Sequence, residues 1–571
     1  MLKILLSFIL ISVSISASAQ FYGWSTSIGG SSADTCAALA VDNQANLYIL
    51  GSFSGNGEFR NDGGSDKLTS TGKDDIFLQK RTKKGNYIRS KKIGGKGNDR
   101  PNAMIYHKGS IYITGTIEDT VDFGVVRIAP STKAKRIIFI AKMDTLGNFV
   151  WVKSIGDSLY SRARSLSINN DGIYLSGEIT GKLENVSYTN TMFIQRRDFD
   201  GNVTWTKTFG TKGSVVSNSI TTDSLGNLYN VGGLFGTNVD FNPSSIKDSL
   251  LSTTFNSVAD IFIQKLNAKG EFIWVKKTGS TAADEANTIV IKGNEMYVSG
   301  YISSKTLTVD FDFSTIGISN LQSAGGKDIF IGKYDLNGKL LWIKKIGNDK
   351  DDNSRQLEID KYNNIYLSGT FSNATGTTTD FLGKPLESSG SINAFCIKFD
   401  QQGKIKLDKD GKFLAKQFAG SGSDYGSAIK ADTMNNVFIS GSYAGTISLD
   451  LGAKSNTCVG ASDIFIYKSL LFKDSDIYFT ENPSSSSLYE NSLNIQLYPN
   501  PVSDNLHVTF DQLLESGSLS ITTLTGQTIQ TKQLSQGQTF EILNTNELIP
   551  GIYFVQLTSG TNSYTYKIHK I

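Results

Sequence analysis

Five aspartates, Asp34, Asp99, Asp284, Asp352 and Asp424, each stand five residues after the residue that closes a strand-like segment (Gly29, Gly94, Gly279, Gly347 and Ala419). Carboxylates gathered at one mouth of a fold can hold a hard cation such as calcium, or serve as an acid and a base. The same oxygens in a turn can instead bond backbone amides a few residues away. A second acidic series places a carboxylate beside an apolar residue: Glu58-Phe59, Asp122-Phe123, Asp240-Phe241, Asp310-Phe311 and Asp380-Phe381, with Asp450-Leu451 similar. There the apolar member is expected to plug a long loop back onto its sheet, leaving the acid solvated. Turns of the form Asp223 to Asn227 mimic calcium loops but lack the further carboxylates of an EF-hand, so they read as turn chemistry.

Other catalytic residue types are sparse. The chain holds three histidines, His107, His507 and His569, and no zinc cluster, Ser-His-Asp or Cys-His set can be assembled from them. Cys36, Cys396 and Cys458 show no CxxC spacing; Cys396, beside Phe395 in an apolar strand, reads as a buried free thiol, and a Cys36 to Cys458 bridge stays open. No catalytic residue and no cofactor is assigned, calcium at the five aspartates being the one candidate. The 56 basic and 53 acidic residues leave a net charge of +3, which supplies no field for nucleic acid.

The elements that must position these residues repeat. Asp328 to Gly347, DIFIGKYDLNGKLLWIKKIG, recurs with small changes, its Phe appearing as Phe77, Phe139, Phe193, Phe262, Phe330, Phe395 and Phe465. Each copy holds four strand-like pieces, a to d. Strand b carries Tyr48, Tyr112, Tyr174, Tyr229, Tyr297, Tyr366 or Phe438, followed three residues later by glycine. Strand c carries the Phe, and strand d ends near Trp24, Trp151, Trp205, Trp274 or Trp342, with Arg89 and Leu414 in the other two copies. One tryptophan per repeat is a pattern of packing between repeats more often than a sugar-stacking platform.

Spacing then sets the geometry. The interval between the aromatics of strands b and c runs from 19 to 33 residues, whereas that from the end of strand d to the next strand b is 18 or 19 throughout. Short antiparallel strands in seven such copies predict an all-β, seven-bladed propeller with four strands per blade. The chain opens with a lone strand d around Trp24, and its seventh copy stops after strand c, Asp463 to Lys468. The N-terminal strand is therefore expected to close the ring, with Ile477 to Phe479 as the rival. In such a ring the b–c and d–a connections share one face.

The first copy, with Trp24, Ile28, Gly29, Gly30, Asp34, then Val41, Asp42, Asn46, Tyr48 and Gly51, resembles the secreted bacterial seven-bladed β-propeller (SBBP) repeat family over residues 24 to about 468. Copies three and four depart from it, with Ser161 and Val215 where the loop Asp is expected. The resemblance implies the fold and leaves the activity open.

Both ends read as addresses. Residues 1–19, with Lys3, an apolar run from Ile4 to Ile15, and Ala17-Ser18-Ala19, have the form of a signal peptide; that run is shorter than the roughly 20 residues a spanning helix needs, and no other stretch approaches that length. A propeller over 20–480 and a polar linker over 481–493 precede residues 494–571, whose alternating short strands predict a small Ig-like β-sandwich. Tyr498, Pro499, Asn500, Pro501, Gly526, Pro550, Gly551, Tyr553 and Lys567 stand in motifs that resemble the type A C-terminal sorting domain of the type IX secretion system. That resemblance implies export to the outer-membrane surface or beyond, with the secretion machinery and a sorting protease as partners. Two function classes follow for the propeller: a binding module for a surface glycan or protein, and a secreted carbohydrate-active enzyme using paired loop carboxylates.

Overall fold

The computed structural model describes residues 22–469 and 495–570, apart from 61–62, 131–135, 184–185, 211–213, 238, 243–249, 252–257, 315–316, 373–377, 381–384, 388–391, 407–414, 434, 451–453, 499–501, 511–515, 524–526 and 560–561. The signal peptide, the linker and the rival closing segment all lie outside these residues. Among those described, every regular element is a strand. The chain divides into two compact regions, Met1–Asp476 and Ile477–Ile571.

In the first region the strands group into antiparallel quartets in the order a-b-c-d. Quartet 5 shows the plan: Glu285–Lys292, Glu295–Ile302, Asp328–Asp335 and Leu340–Ile346. The register is the same in every copy. The glycine of strand b stands opposite the strand c Phe in all seven: Gly51 and Phe77, Gly115 and Phe139, Gly177 and Phe193, Gly232 and Phe262, Gly300 and Phe330, Gly369 and Phe395, Gly441 and Phe465. At Gly300 a Cβ would sit 2.8 Å from the Phe330 ring, so this position excludes any side chain. The residue opposite the strand b aromatic is cationic, and its head group lies over the ring, as with Lys80 at 4.8 Å from the Tyr48 centroid and Lys265 at 5.0 Å from that of Tyr229.

Neighbouring quartets meet through strand a and through tryptophan. Each first strand touches the next, and the first strand of the seventh, Asp424–Ala431, returns to Thr35–Val41 of the first. Ser165 Oγ accepts from Ile220 N–H at 3.1 Å, Gln356 Oε1 from Ile429 N–H at 3.1 Å, and Cys36 Sγ lies 3.0 Å from Ser440 Oγ across the joint. Each tryptophan rests on the strand b aromatic of its own quartet and reaches the c–d turn of the next. Trp151 lies 6.3 Å from Tyr112 and donates to Phe199 O at 3.1 Å, against Gly201, which holds a φ of 83° in that turn. Arg89 makes the equivalent bond to Leu146 O. The stripe is therefore packing between repeats.

The expected closing strand is present. Tyr22–Gly30 pairs antiparallel with Asp463–Ser469, Trp24 opposite Lys468, and Trp24 Nε1 donates to Lys83 O of quartet 1 at 3.1 Å. Quartets 2 and 3 share one unbroken strand, Phe149–Ile168, which serves as d of one and a of the next.

The second region holds two antiparallel sheets, one built on Ile495–Tyr498, Asn505–Phe510 and Phe540–Asn544, the other on Gly517–Thr523, Thr528–Leu534, Gly551–Ser559 and Asn562–Lys570. Leu506, Val508, Leu519, Ile521, Val555 and Ile568 form a core common to both.

Candidate functional site

The five loop aspartates are fully buried, and each sits in its own quartet. One carboxylate oxygen accepts from the backbone N–H four residues earlier: Gly30 to Asp34 at 2.8 Å, Gly95 to Asp99 at 2.6 Å, Ser280 to Asp284 at 2.6 Å, Asn348 to Asp352 at 3.0 Å. The other oxygen reaches the end of strand b, accepting from Glu118 N–H to Asp99 at 3.1 Å and from Ser303 N–H to Asp284 at 2.9 Å. Asp424 stands at the same loop position and is equally buried. The backbone N–H of Asp34, Asp284 and Asp352 in turn donates to the residue just before strand c of the preceding quartet, as Asp284 does to Ala259 O at 2.9 Å, and that of Asp99 donates to Asp74 O within Lys67–Arg81 at 2.7 Å. Asp99, Asp284 and Asp352 thus each staple three chain segments. Among the described residues no three His, Cys, Asp or Glu side chains gather as a metal site would require.

Burial sets the charge state of these groups. It pushes Asp34, Asp352 and Asp424 up to about 7 and Asp99 to about 6, against backbone bonds that act the other way, and it raises Asp284 in the same sense.

The plugging aromatics are placed as expected: Phe59, Phe123, Phe241 and Phe311 are buried, with ring centroids 4.8, 5.4, 5.0 and 4.7 Å from the strand c Phe of their own quartets. The acids beside them are not simply solvated. Asp310 accepts from Asp312 N–H at 3.0 Å and Ser319 N–H at 2.8 Å, and Glu58 from Asp66 N–H at 2.7 Å, because a loop folded back by its aromatic leaves amides that need an acceptor. Phe381 and Leu451 lie outside the described residues. The Asp-turns behave as turn chemistry: Asp223 accepts from Leu225 N–H, Asn227 N–H and the Tyr229 hydroxyl. All three cysteines are free, Cys36 and Cys396 being buried.

Quartet 3 differs. Its b–c connection is a tight hairpin, Ile173–Leu183 running into Val186–Arg197, and carries no plug. Beside it opens a cavity of about 260 Å³, lined by Arg136 of quartet 2, by Arg162, Glu178, Thr180 and Asn190 of quartet 3, and by Ser214 of quartet 4, with Ser161 and Val216 completing the wall. All lie at the strand ends that carry the b–c and d–a connections. Arg136 bonds Glu118 at 2.6 Å, and Arg164 bonds Glu178 and, at 3.3 Å, Asn218. The Arg162 side chain is exposed at the mouth of the cavity, close to the like charges of Arg164, Arg136 and Arg100 and to the opposite charge of Glu178, whose own carboxyl is raised by burial. Sequence reading passed over Arg162 and Glu178. The signal available was the missing plug pair between Asp122-Phe123 and Asp240-Phe241, together with Ser161 in place of the loop Asp.

In the second region Tyr553 is buried and donates its hydroxyl to Ile549 O at 2.9 Å, which fixes the Pro550-Gly551 turn at the head of Gly551–Ser559. Tyr498 ends its strand opposite His507, and Lys567 stands opposite Phe554. Pro499, Asn500, Pro501 and Gly526 lie outside the described residues.

Residues 496–570 match the secretion-system C-terminal sorting domain family. A curated relative, the uncharacterised WD repeat-containing protein L264 of Acanthamoeba polyphaga mimivirus, is 24% identical over 413 residues, which are 60% of this chain and 28% of that protein. This chain thus spans just over a quarter of that relative's length. Similar solved structures include the phage phi92 endosialidase (TM-score 0.38, 10% identity, 96% of this chain and 88% of that one) and the Trypanosoma rangeli sialidase with the inhibitor DANA (TM-score 0.32, 8% identity, 85% and 86%). The parainfluenza virus 5 hemagglutinin-neuraminidase ectodomain is a third (TM-score 0.32, 10% identity, 65% and 80%). The C-terminal region is thus a type IX secretion sorting domain, and it marks the chain for export to the cell surface or the extracellular space.

Proposed function

We propose that the repeat region is a closed seven-bladed propeller of the SBBP type, exported as a non-catalytic binding module for a surface glycan or protein. Its ligand meets the face built from the b–c and d–a connections. The first-strand contacts that run from quartet to quartet and back to Thr35–Val41, with Trp24 on quartet 1, support the ring. Residues 1–19 serve as the signal peptide. The second region, an Ig-like sandwich, engages the secretion machinery and a sorting protease at the outer membrane.

The observation that carries the binding reading is the contrast between the two ends of the strands. Most turns at one end are held by the same Asp and Asn bonds, whereas the other end varies by 14 residues in its b–c segments and holds the cavity. Among the described residues lining that cavity Glu178 is the one carboxylate, and two-carboxylate glycoside hydrolysis needs a pair, which favours binding over catalysis. The test is a glycan array and surface pull-down with the full exported chain, repeated after replacing residues 303–325 and the hairpin 181–188 with short Gly/Ser loops. Binding is expected to weaken with these replacements and to survive substitution at the turn residues Asp200 and Asp335; the reverse pattern places the ligand on the other face.

A further inference from the structure

We infer that the cavity beside quartet 3 binds an anionic sugar residue, a uronate carboxylate or a sulfate, with Arg162 as its charge partner. This rests on the glycan-binding reading above and names the ligand class.

Three observations converge. The arginines around the cavity are neutralised except one: Arg136 is bonded to Glu118, Arg164 to Glu178 and Arg100 to Asp74, while among the described residues no side chain bonds the Arg162 guanidinium. A planar guanidinium with its donors unspent is the group that takes an oxyanion by paired hydrogen bonds. Next, the rest of the wall is polar and mixed in sense. Asn190, held at φ 46°, receives the Thr180 hydroxyl on its side-chain oxygen and donates its backbone N–H to that hydroxyl, which leaves its amide nitrogen to donate outward. With the Ser214 hydroxyl and the Glu178 carboxylate, that wall offers donors and acceptors for a ring of hydroxyl groups, and Val216 is its one aliphatic side chain.

Finally, the site is specific to this quartet. The position of Arg162, directly after the loop Asp or its replacement, is Thr35, Val216, Glu285, Asn353 or Tyr425 elsewhere, and Arg100 in quartet 2, where Asp74 neutralises it. The position of Glu178, directly after the strand b glycine, is Ser52, Thr116, Gly233, Tyr301, Thr370 or Ser442. The aromatic plug seen at this end of quartets 1, 2, 4 and 5 is missing here, and its absence opens the space. At about 260 Å³ the cavity lies just under the range that takes a drug-sized molecule, which suits a single sugar unit.

The test uses the full exported chain and three immobilised oligosaccharides: a polygalacturonate fragment, a sulfated galactan fragment and a neutral galactan fragment. One or both anionic probes are expected to bind, more weakly as salt is raised. Arg162→Ala should lower that binding roughly tenfold or more, Arg162→Lys should restore part of it, and an unchanged melting temperature shows that the variant is folded. Which anionic probe responds separates carboxylate from sulfate. Anionic binding that Arg162→Ala leaves intact overturns this assignment, as does capture of acidic peptides in place of sugars with the same dependence on Arg162. If only the neutral probe binds, the assignment fails and the glycan-binding reading stands. If none binds, both fail.

Discussion

Asp463, which opens the strand Asp463–Ser469, and Asp34, in the loop after Tyr22–Gly30, meet at Gly29 from opposite ends of the repeat region, so that a side chain on Gly29 would strike both carboxylates. The same partnership recurs inside the chain as Asp75 with Asp99, Asp260 with Asp284 and Asp328 with Asp352. In those three a lysine from strand d reaches the strand c acid: Lys92 at 3.5 Å, Lys277 at 2.6 Å and Lys345 at 2.7 Å. At the joint the corresponding residue, opposite Phe465, is Ser27. Where strand c brings Ile137 or Thr191 instead of an acid, the next loop has Ser161 or Val215, while Asn393 in quartet 6 is followed by Asp424.

The joint therefore holds two buried acids with no lysine or arginine paired to them among the described residues, and this has a sign in pH. Burial first, then the neighbouring acid, raises Asp34 to about 7, and burial raises Asp463 to about 6, both above the ordinary 3.8. The folded chain keeps protons that the unfolded chain releases, so the stabilising contribution is complete below pH 4 and is lost as pH rises from 4 to 7. Asp42 and Glu118 are held below their ordinary values by hydrogen bonds and act oppositely, costing stability below about pH 4. A stability maximum in mildly acidic solution is expected. Because every tryptophan lies in the repeat region, denaturant melts followed by tryptophan fluorescence report it alone; a midpoint that rises from pH 5 to pH 8 contradicts the reading.

Substitution Asp463→Asn should raise stability at pH 8 by about 1–3 kcal/mol and leave it nearly unchanged at pH 4.5. Quartet 6 already uses this solution, with Asn393 at the position of the strand c acid in the quartet before Asp424. Paired melts of the two proteins at the two pH values check it, and a variant weaker than wild type at pH 8 shows that the carboxylate is needed in its charged form.

The quartets, their register and the closing strand were legible in the sequence because strand pairing here depends on residues that repeat: a glycine that must face a phenylalanine, a tryptophan that must meet a glycine turn. The loop aspartates were legible as positions but not as staples, since spacing shows that Asp99 follows Gly94 and not that it also bonds Glu118, 19 residues on. The cavity was least legible. It arises where the repeat omits something, at the hairpin that lacks a plug, and Arg162 differs from its counterpart Arg100 only in what stands beside it.

If the ring is closed, the tryptophan at the joint should matter as much as one in the middle. Trp24 lies 6.2 Å from Phe438 and Trp205 lies 6.2 Å from Tyr174, each against the glycine of the next c–d turn. Trp24→Ala and Trp205→Ala should each cost about 2–4 kcal/mol in denaturant unfolding. An open array predicts otherwise: Trp24→Ala would then fray one end and leave the main transition in place.

Chelation should do nothing to the repeat region. The carboxylates of Asp34, Asp99, Asp284, Asp352 and Asp424 stand apart in separate quartets, and among the described residues no three His, Cys, Asp or Glu side chains gather as a cation would need. Melting temperatures with EDTA and with millimolar calcium are expected to agree within error. A rise of several degrees with calcium would mean that a ligand of the native state had been overlooked.

Removal of residues 494–571 should leave the repeat region folded but stranded in the periplasm. The sorting domain keeps its own core, with Leu506, Leu519, Val555 and Ile568 drawn from both of its sheets. What is lost is the address. Cell fractionation should find the truncated chain in the periplasmic fraction, with tryptophan fluorescence and melting temperature like those of the full chain. Surface display or release of the truncated chain at normal levels would show that export is directed from elsewhere in the molecule. A periplasmic chain that melted early would show instead that the repeat region depends on the second region for its stability.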